Sequence, residues 1–258
     1  MPTVTIAGAE VHYETDGSGP TTVLVHGTGS GGAALVWGGL LEHFTEDRRV
    51  VTPDLSGTLN TADDGAELTV EGLAEQVVAV IEDSGGGPVD LIGFSLGGSI
   101  VAAVAALRPD LVRRLVSVAG FAHADQAAMR QSFELWRSLA DDPERFGKYA
   151  TTTAFSPSFL GRLDEAALEA TNAGMVPDEG TLRHIDLDLR LDIRGLLPRV
   201  TAPTLVIGNS KDATVPVDLT RELAEGVRGS TYVELDSGHI TFAEQPERFL
   251  EEVLGFLG

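Results

Sequence analysis

Ser95 stands in Ile92-Gly93-Phe94-Ser95-Leu96-Gly97-Gly98, between a short apolar run at 89–92 and a uniformly apolar segment at 99–107. A strand before, a helix after and a glycine two residues to either side match the Gly-x-Ser-x-Gly turn, which strains a serine backbone and projects its hydroxyl from the end of a sheet. A side chain at Gly93 or Gly97 would collide with the neighbouring strand or helix. A neutral hydroxyl attacks a carbonyl poorly until a base takes its proton. Of the six histidines, His239 in Asp236-Ser237-Gly238-His239 follows the last strand-like run, where loops of such a sheet meet the serine turn. His12 falls in an N-terminal hairpin pattern, His43 near a helix end, and His123 and His184 in a long central segment. A carboxylate to orient the base is expected between serine and histidine in chain order. Asp212, in Gly208-Asn209-Ser210-Lys211-Asp212 after the run 204–207, meets that order, and Asp218, Asp236 and Asp125 remain open as substitutes. The plain alternatives are a surface serine and a turn-forming aspartate.

A second motif competes. Gly27-Thr28-Gly29-Ser30-Gly31-Gly32 follows the run 23–26, and Asp54 ends the next run. That pattern is also the fingerprint of a dinucleotide-binding fold, with the acidic residue on the cofactor ribose, and it would make the protein an NAD(P)-dependent oxidoreductase. The hairpin ahead of it is foreign to that fold, and the motif leaves Ser95, Asp212 and His239 unexplained.

The elements around these residues alternate. Runs at 4–6 and 11–15 flank a turn and predict an antiparallel hairpin. Runs at 22–25, 50–52, 89–92 and 115–118 are short and apolar, and the first three lead into helical stretches, which predicts a parallel sheet covered on both faces. Residues 69–84 predict a surface helix, with Val70, Leu73, Val77 and Ile81 at spacings of three and four and Gly85 behind them. The alternation stops after Gly120 and resumes at 204–207, with a helix near 219–225, a strand at 231–235 and a last helix at 246–257. The interruption reads as a helical insertion carrying many of the aromatics. Within it, Ile185, Leu187, Leu189, Leu191 and Ile193 alternate with charged residues at the period of a strand; a helix that unwinds near Leu191 is expected instead.

The 258 residues can bury a large core, and one catalytic domain with an inserted subdomain is the economical reading. A formal net charge of -21, from 39 acidic and 18 basic residues, repels phosphate backbones and anionic membrane surfaces. The expected partner is therefore a small-molecule substrate, with no nucleic acid and no membrane; monomer and homodimer both fit. The absence of cysteine excludes disulfides, zinc-thiolate sites and cysteine nucleophiles. The longest apolar stretch, 100–107, is far short of the ~20 residues a membrane helix needs. Met1-Pro2-Thr3 leads straight into a strand pattern without the regions of a signal peptide, which points to the cytoplasm.

Val25-His26-Gly27-Thr28, the Ser95 turn, Asp212 with Pro216, and Gly238-His239 followed by Glu244, Pro246 and Phe249 together resemble the α/β-hydrolase superfamily. The resemblance covers nearly all of the chain outside the insertion. It implies an α/β fold with an eight-stranded, mostly parallel sheet and helices on both faces, a core of residues 1–121 and 199–258, and a helical lid at 122–198. It also implies a Ser95-His239-Asp212 triad, an oxyanion hole from the Thr28 and Leu96 N–H groups, a structural His26, and neither metal nor organic cofactor. Two departures affect the pocket. Gly57 runs into Thr58-Leu59-Asn60-Thr61 in place of a compact Gly-x-Gly-x-Ser, and Gly29-Ser30-Gly31-Gly32-Ala33 lengthens the loop before Trp37. Trp37, Met129, Phe133, Trp136, Tyr149 and Phe155 are the candidate pocket residues, the alternative for the lid aromatics being the lid's own core. The expected reaction is hydrolysis of a carboxylic ester, lactone or thioester of a small, largely apolar molecule. The same machinery also serves lyases, cyclases, carbon-carbon hydrolases and ligand-binding proteins with a vestigial triad. Serine in place of aspartate at the turn disfavours epoxide opening and halide displacement.

Overall fold

The computed structural model describes residues 2–258. β1 (Thr3–Ile6) and β2 (Ala9–Gly17) form the expected antiparallel hairpin, with Ile6 opposite Ala9. Ala7 and Gly8 both have positive φ, the turn whose twist matches the flanking strands. β3 (Thr21–Val25) is followed by α1 (Gly32–Trp37) and α2 (Leu41–Thr45), and β4 (Arg49–Asp54) by α3 (Val70–Asp83). β5 (Val89–Phe94) turns directly into α4 (Leu96–Leu107), and β6 (Val112–Val118) follows. The insertion carries α5 (Ala127–Ser138), α6 (Pro143–Ala154), α7 (Pro157–Leu160), α8 (Glu165–Ala173) and α9 (Glu179–Asp188). β7 (Thr204–Asn209), α10 (Val217–Gly226), β8 (Thr231–Leu235), α11 (Thr241–Glu244) and α12 (Pro246–Leu257) complete the chain.

The sheet order is β1-β2-β4-β3-β5-β6-β7-β8, antiparallel through β4 and parallel from there on. The apolar runs serve both faces. Leu91, Leu115 and Val206 point to the side of α3, α4 and α10, while their neighbours Ile92, Val116 and Leu205 pack with Trp37, Phe44, Phe249 and Val253 on the other. The helix α4 is buried on every side from Leu96 to Ala106, as its uniform apolarity requires, and α3 buries only the stripe that includes Leu73, Val77 and Ile81. Thr69 caps α3 by accepting the Gly72 N–H at 3.0 Å. The inserted helices extend the first core, because Met129, Phe133, Phe146 and Ile185 join it.

The period-two stretch divides between two structures. Its first half is helical and buries Ile185 and Leu187; α9 then ends at Asp188, three residues before the expected unwinding. A turn continues through Arg190, whose N–H donates to Leu187 O at 2.9 Å, and from Leu191 the backbone is extended. Ile193 N–H donates to Ala122 O at 2.8 Å and Ala124 N–H to Leu191 O at 3.1 Å, so the strand-like alternation is used by a short pairing against residues 122–124.

Asp90, fully buried at the N-terminal end of the parallel sheet, accepts from Arg48 Nη1 at 2.8 Å and from Arg113. Arg48 also donates to the Gly258 carbonyl at 3.0 Å and so ties the chain end to the sheet. Removing the carboxylate leaves the buried Arg48 with only the exposed Asp47, at 3.8 Å, as counter-charge. Asp90→Ala is expected to destabilise the fold by about 3–5 kcal/mol, read as a lower urea midpoint at unchanged m-value; an unchanged midpoint would refute the assignment.

Candidate active site

Ser95 sits at φ 56°, ψ -122°, between the last residue of β5 and the first of α4. A non-glycine residue held there carries about 1–3 kcal/mol of strain, which the surroundings must over-determine. They do so by crowding: a Cβ at Gly93 would lie 2.1 Å from Gly97 O, and one at Gly97 2.3 Å from His26 O. The Ser95 N–H donates to Val118 O at 2.8 Å, locking the turn to β6. The expected collisions at both glycines are therefore present.

The loop after β8 brings His239 to this serine. Ser95 Oγ lies 2.9 Å from His239 Nε2, and His239 Nδ1 lies 2.6 Å from Asp212 Oδ2. Asp212 Oδ1 accepts the Thr214 and Val215 N–H groups at 2.9 and 2.8 Å, which fixes the carboxylate plane. With Nδ1–H donated to this carboxylate, Nε2 is left as the acceptor for the serine proton. Asn209 donates to the His239 carbonyl at 3.0 Å, and Glu244 accepts from both the N–H and the hydroxyl of Ser156, at 2.7 and 2.6 Å, so the histidine loop is clamped to the insertion. Asp236 is exposed and paired to Lys211, Asp218 to Arg221, and Asp125 to Arg194, so the structure brings none of the three substitutes to His239.

The Gly27–Thr28 turn lies directly against the serine, since a Cβ at Gly27 would sit 3.0 Å from Ser95 Cβ. Among the described residues, the Thr28 and Leu96 N–H groups have no acceptor, which leaves both donors available beside Ser95. The lengthened loop that follows is held by one face of α9. Thr28 Oγ1 donates to Asp188 at 2.6 Å, Gly29 N–H to His184 Nδ1 at 3.2 Å, Ser30 N–H to Thr181 Oγ1 at 3.2 Å, and the Ser30 hydroxyl to Asp178. His184 Nε2–H donates in turn to Ser56 O at 2.8 Å, so one ring spans both unusual loops. Burial, with His26 nearby, lowers its pKa to about 4 and keeps it neutral. His26 donates from Nδ1 to Gly27 O and accepts the Leu55 N–H, and burial lowers its pKa as well; its role is structural. Among the described residues, Asp188 has no cationic partner. Burial, opposed only by the Thr28 hydroxyl, pushes its pKa up to about 8, and its Oδ1 has no hydrogen-bond partner among the described residues. Sequence reasoning missed this seam, although Asp178, Thr181, His184 and Asp188 form a polar stripe at helical spacing.

A cavity of about 70 Å³ lies over Ser95, lined by Phe94, Phe133, Trp136, Ala154, Met175 and Ile240 together with Thr28 and His239. Phe133 and Trp136 are thus placed as the sequence suggests. The other four candidates are not in its lining. Trp37 is fully buried against Phe242 in the opposite core, and Met129 is buried beneath α5. Tyr149 directs its hydroxyl to Ser132, and Phe155 stacks on Phe159 just past the end of α6. Phe94 flanks the serine and was legible from its position alone; Met175, on the α8–α9 connection, carried no sequence signal.

The dinucleotide reading is overturned by the same geometry. Asp54 is 3% exposed, and its oxygens take the Ala33 N–H at 2.8 Å, Asn60 at 2.9 Å and His12 at 2.9 Å. Burial pushes that carboxyl up, but these donors outweigh it and hold its pKa below the usual value. A ribose finds no free carboxylate at Asp54, and the Gly29 and Ser30 N–H groups that a pyrophosphate would take are already donated to α9.

A strained serine after a parallel strand, a histidine after the last strand and a carboxylate after the strand before it follow the arrangement of the α/β-hydrolase fold. Residues 22–252 match the model of the alpha/beta hydrolase family, and the chain belongs to that family. It is 39% identical to a pyrrolizixenacetamide deacetylase of Xenorhabdus hominickii, over 100% of this chain and 98% of that one. It is 30% identical to a karrikin insensitive 2 receptor of Petunia hybrida, over 90% of this chain and 89% of the other. The enol-lactonase of Burkholderia xenovorans LB400 superposes with a TM-score of 0.87 at 23% identity, covering 99% of both chains. The protein is a hydrolase of this fold.

The buried Asp188 gives a pH signature. Its folded pKa is raised from 3.8 to about 8, so the unfolded chain releases this proton near pH 4 while the folded protein retains it; stability falls as pH rises through that window. Asp188→Asn keeps an acceptor for Thr28 and removes the charge. It is expected to raise Tm by about 4 °C or more at pH 8 and by about 1 °C or less at pH 4 in a thermal melt. An equal shift at both pH values would contradict a carboxyl held neutral by burial.

Proposed function

We propose that the protein is a serine-dependent deacylase that removes a small acyl group from an ester or amide of a larger, partly apolar molecule. The observation that carries this reading is the unbroken relay from Ser95 through His239 to Asp212, at 2.9 and 2.6 Å. His239 takes the Ser95 proton as Oγ attacks the carbonyl carbon, and Asp212 stabilises the imidazolium that forms. The tetrahedral oxyanion rests on the Thr28 and Leu96 N–H groups, each such donor contributing about 3 kcal/mol to the transition state. His239 then gives its proton to the leaving oxygen or nitrogen. Water, deprotonated by the same ring, releases the acyl group from Ser95.

The substrate class rests on two supports. The 70 Å³ cavity suits a short acyl group, and a relative of 39% identity is named as the deacetylase of an acetamide. Residues 122–198 act in this scheme as a lid that supplies Phe133, Trp136 and Met175 to the cavity. A second reading, a ligand receptor that retains the triad, is favoured by the Petunia relative.

Ser95→Ala should keep the far-UV circular dichroism of the parent, lose labelling by a fluorophosphonate, and lose turnover of p-nitrophenyl acetate by about 10⁴-fold or more. Asp212→Asn should still fold and lower kcat by about 10⁴-fold, because His239 then presents the wrong tautomer. Labelling that persists in Ser95→Ala refutes the nucleophile. A parent that takes the label yet shows no sustained turnover of any acetate favours the receptor.

A further inference from the structure

The inner cavity is too small to hold a whole substrate. Pockets that bury a small-molecule ligand usually reach about 300–1,000 Å³. At roughly 10–15 Å³ per water-sized group, the 70 Å³ above Ser95 accommodates about five non-hydrogen atoms. Outside it lies a groove of about 540 Å³ between α6, α8 and the connection to α9. Its walls include Pro143, Ala173, Val176 and Pro177, with Glu144, Lys148 and Glu169 supplying charge. Met175 borders both spaces and is the residue they share.

The walls of this groove are fixed while Met175 is adaptable. The helices α6 and α8 meet so closely that a Cβ on Gly147 would lie 2.2 Å from Asn172 O. The segment after α8 holds Met175 by one backbone bond, its N–H donating to Asn172 O at 3.2 Å. A methionine side chain has three rotatable bonds and no polar group to leave unpaired, so it changes shape at little cost. We propose that Met175 is the specificity-determining wall between two halves of one substrate site. The acyl group, of about two to four carbons, sits over Ser95, and the larger alcohol or amine portion extends past Met175 into the outer groove. Lys148 is paired to Glu144 at 2.5 Å, so Glu169 sets the excess charge there, and a neutral or cationic leaving portion fits better than an anionic one. The inference rests on Ser95 as the acyl-transfer nucleophile.

The test uses Met175→Ala and Met175→Trp with a small acetate, vinyl acetate, and a large one, 4-methylumbelliferyl acetate. Met175→Trp should lower kcat/KM for the large acetate by about tenfold or more relative to its effect on vinyl acetate, whereas Met175→Ala should raise the ratio of large to small acetate. Equal changes on both acetates overturn the proposal. A readout without turnover is the fluorescence titration of 4-methylumbelliferone into Ser95→Ala protein. Adding Met175→Trp should weaken binding by about tenfold, and unchanged binding overturns the proposal. If the titration shows this contrast while the parent turns over no acetate, the wall stands and the deacylase reading fails.

Discussion

The backbone of Ser95 is the constraint on which this molecule is built. A serine with positive φ at a strand-to-helix junction is unstable by itself, and it persists because β5, α4, β6 and the His26 backbone leave the chain no other path. The same crowding sets the orientation of the hydroxyl, the free N–H of Leu96 and the position of the Gly27–Thr28 turn. Burial of α4 on all sides then serves more than stability. It makes the junction rigid enough that a histidine arriving from a loop 144 residues later meets Oγ at hydrogen-bond distance.

Around that fixed point the polar groups are sorted by whether they have partners. Asp212 has both oxygens engaged, Asp54 takes three donors, and Asp90 lies between two arginines. Asp188 is the exception, buried with one hydroxyl for company and therefore held neutral. A neutral carboxyl beside Thr28 keeps negative charge away from the place where an oxyanion would form, so the same burial that weakens the fold at high pH suits the site electrostatically.

The parts of this arrangement that repeat were legible in the sequence, and the parts built by contact were not. Runs such as Val89–Ile92 are apolar on both faces and announce a parallel sheet; Gly93 and Gly97 announce the turn, and position after the last two strands points to His239 and to Asp212, with Asp218, Asp236 and Asp125 left for the structure to exclude. The pocket follows no period. Tyr149 and Phe155 share the aromatic character of Phe133 and Trp136, yet Tyr149 needs an acceptor for its hydroxyl and finds it at Ser132, while Phe155 finds a stacking partner in Phe159. The stretch 185–193 shows the limit most clearly. Its period of two is real, but half of it is spent on a helix that buries Ile185 and Leu187 and half on a pairing with residues 122–124.

The polar seam between α9 and the loop at 28–30 also decides what can be exchanged between related hydrolases. Three side chains on α9 and that of its cap, Asp178, are matched to backbone and hydroxyl groups beside Ser95, so a graft replacing all of 122–198 would strand those groups against foreign side chains. The transplantable unit ends before Asp178. By this measure α9 belongs with the loop at 28–30 that it supports, and not with α5 to α8.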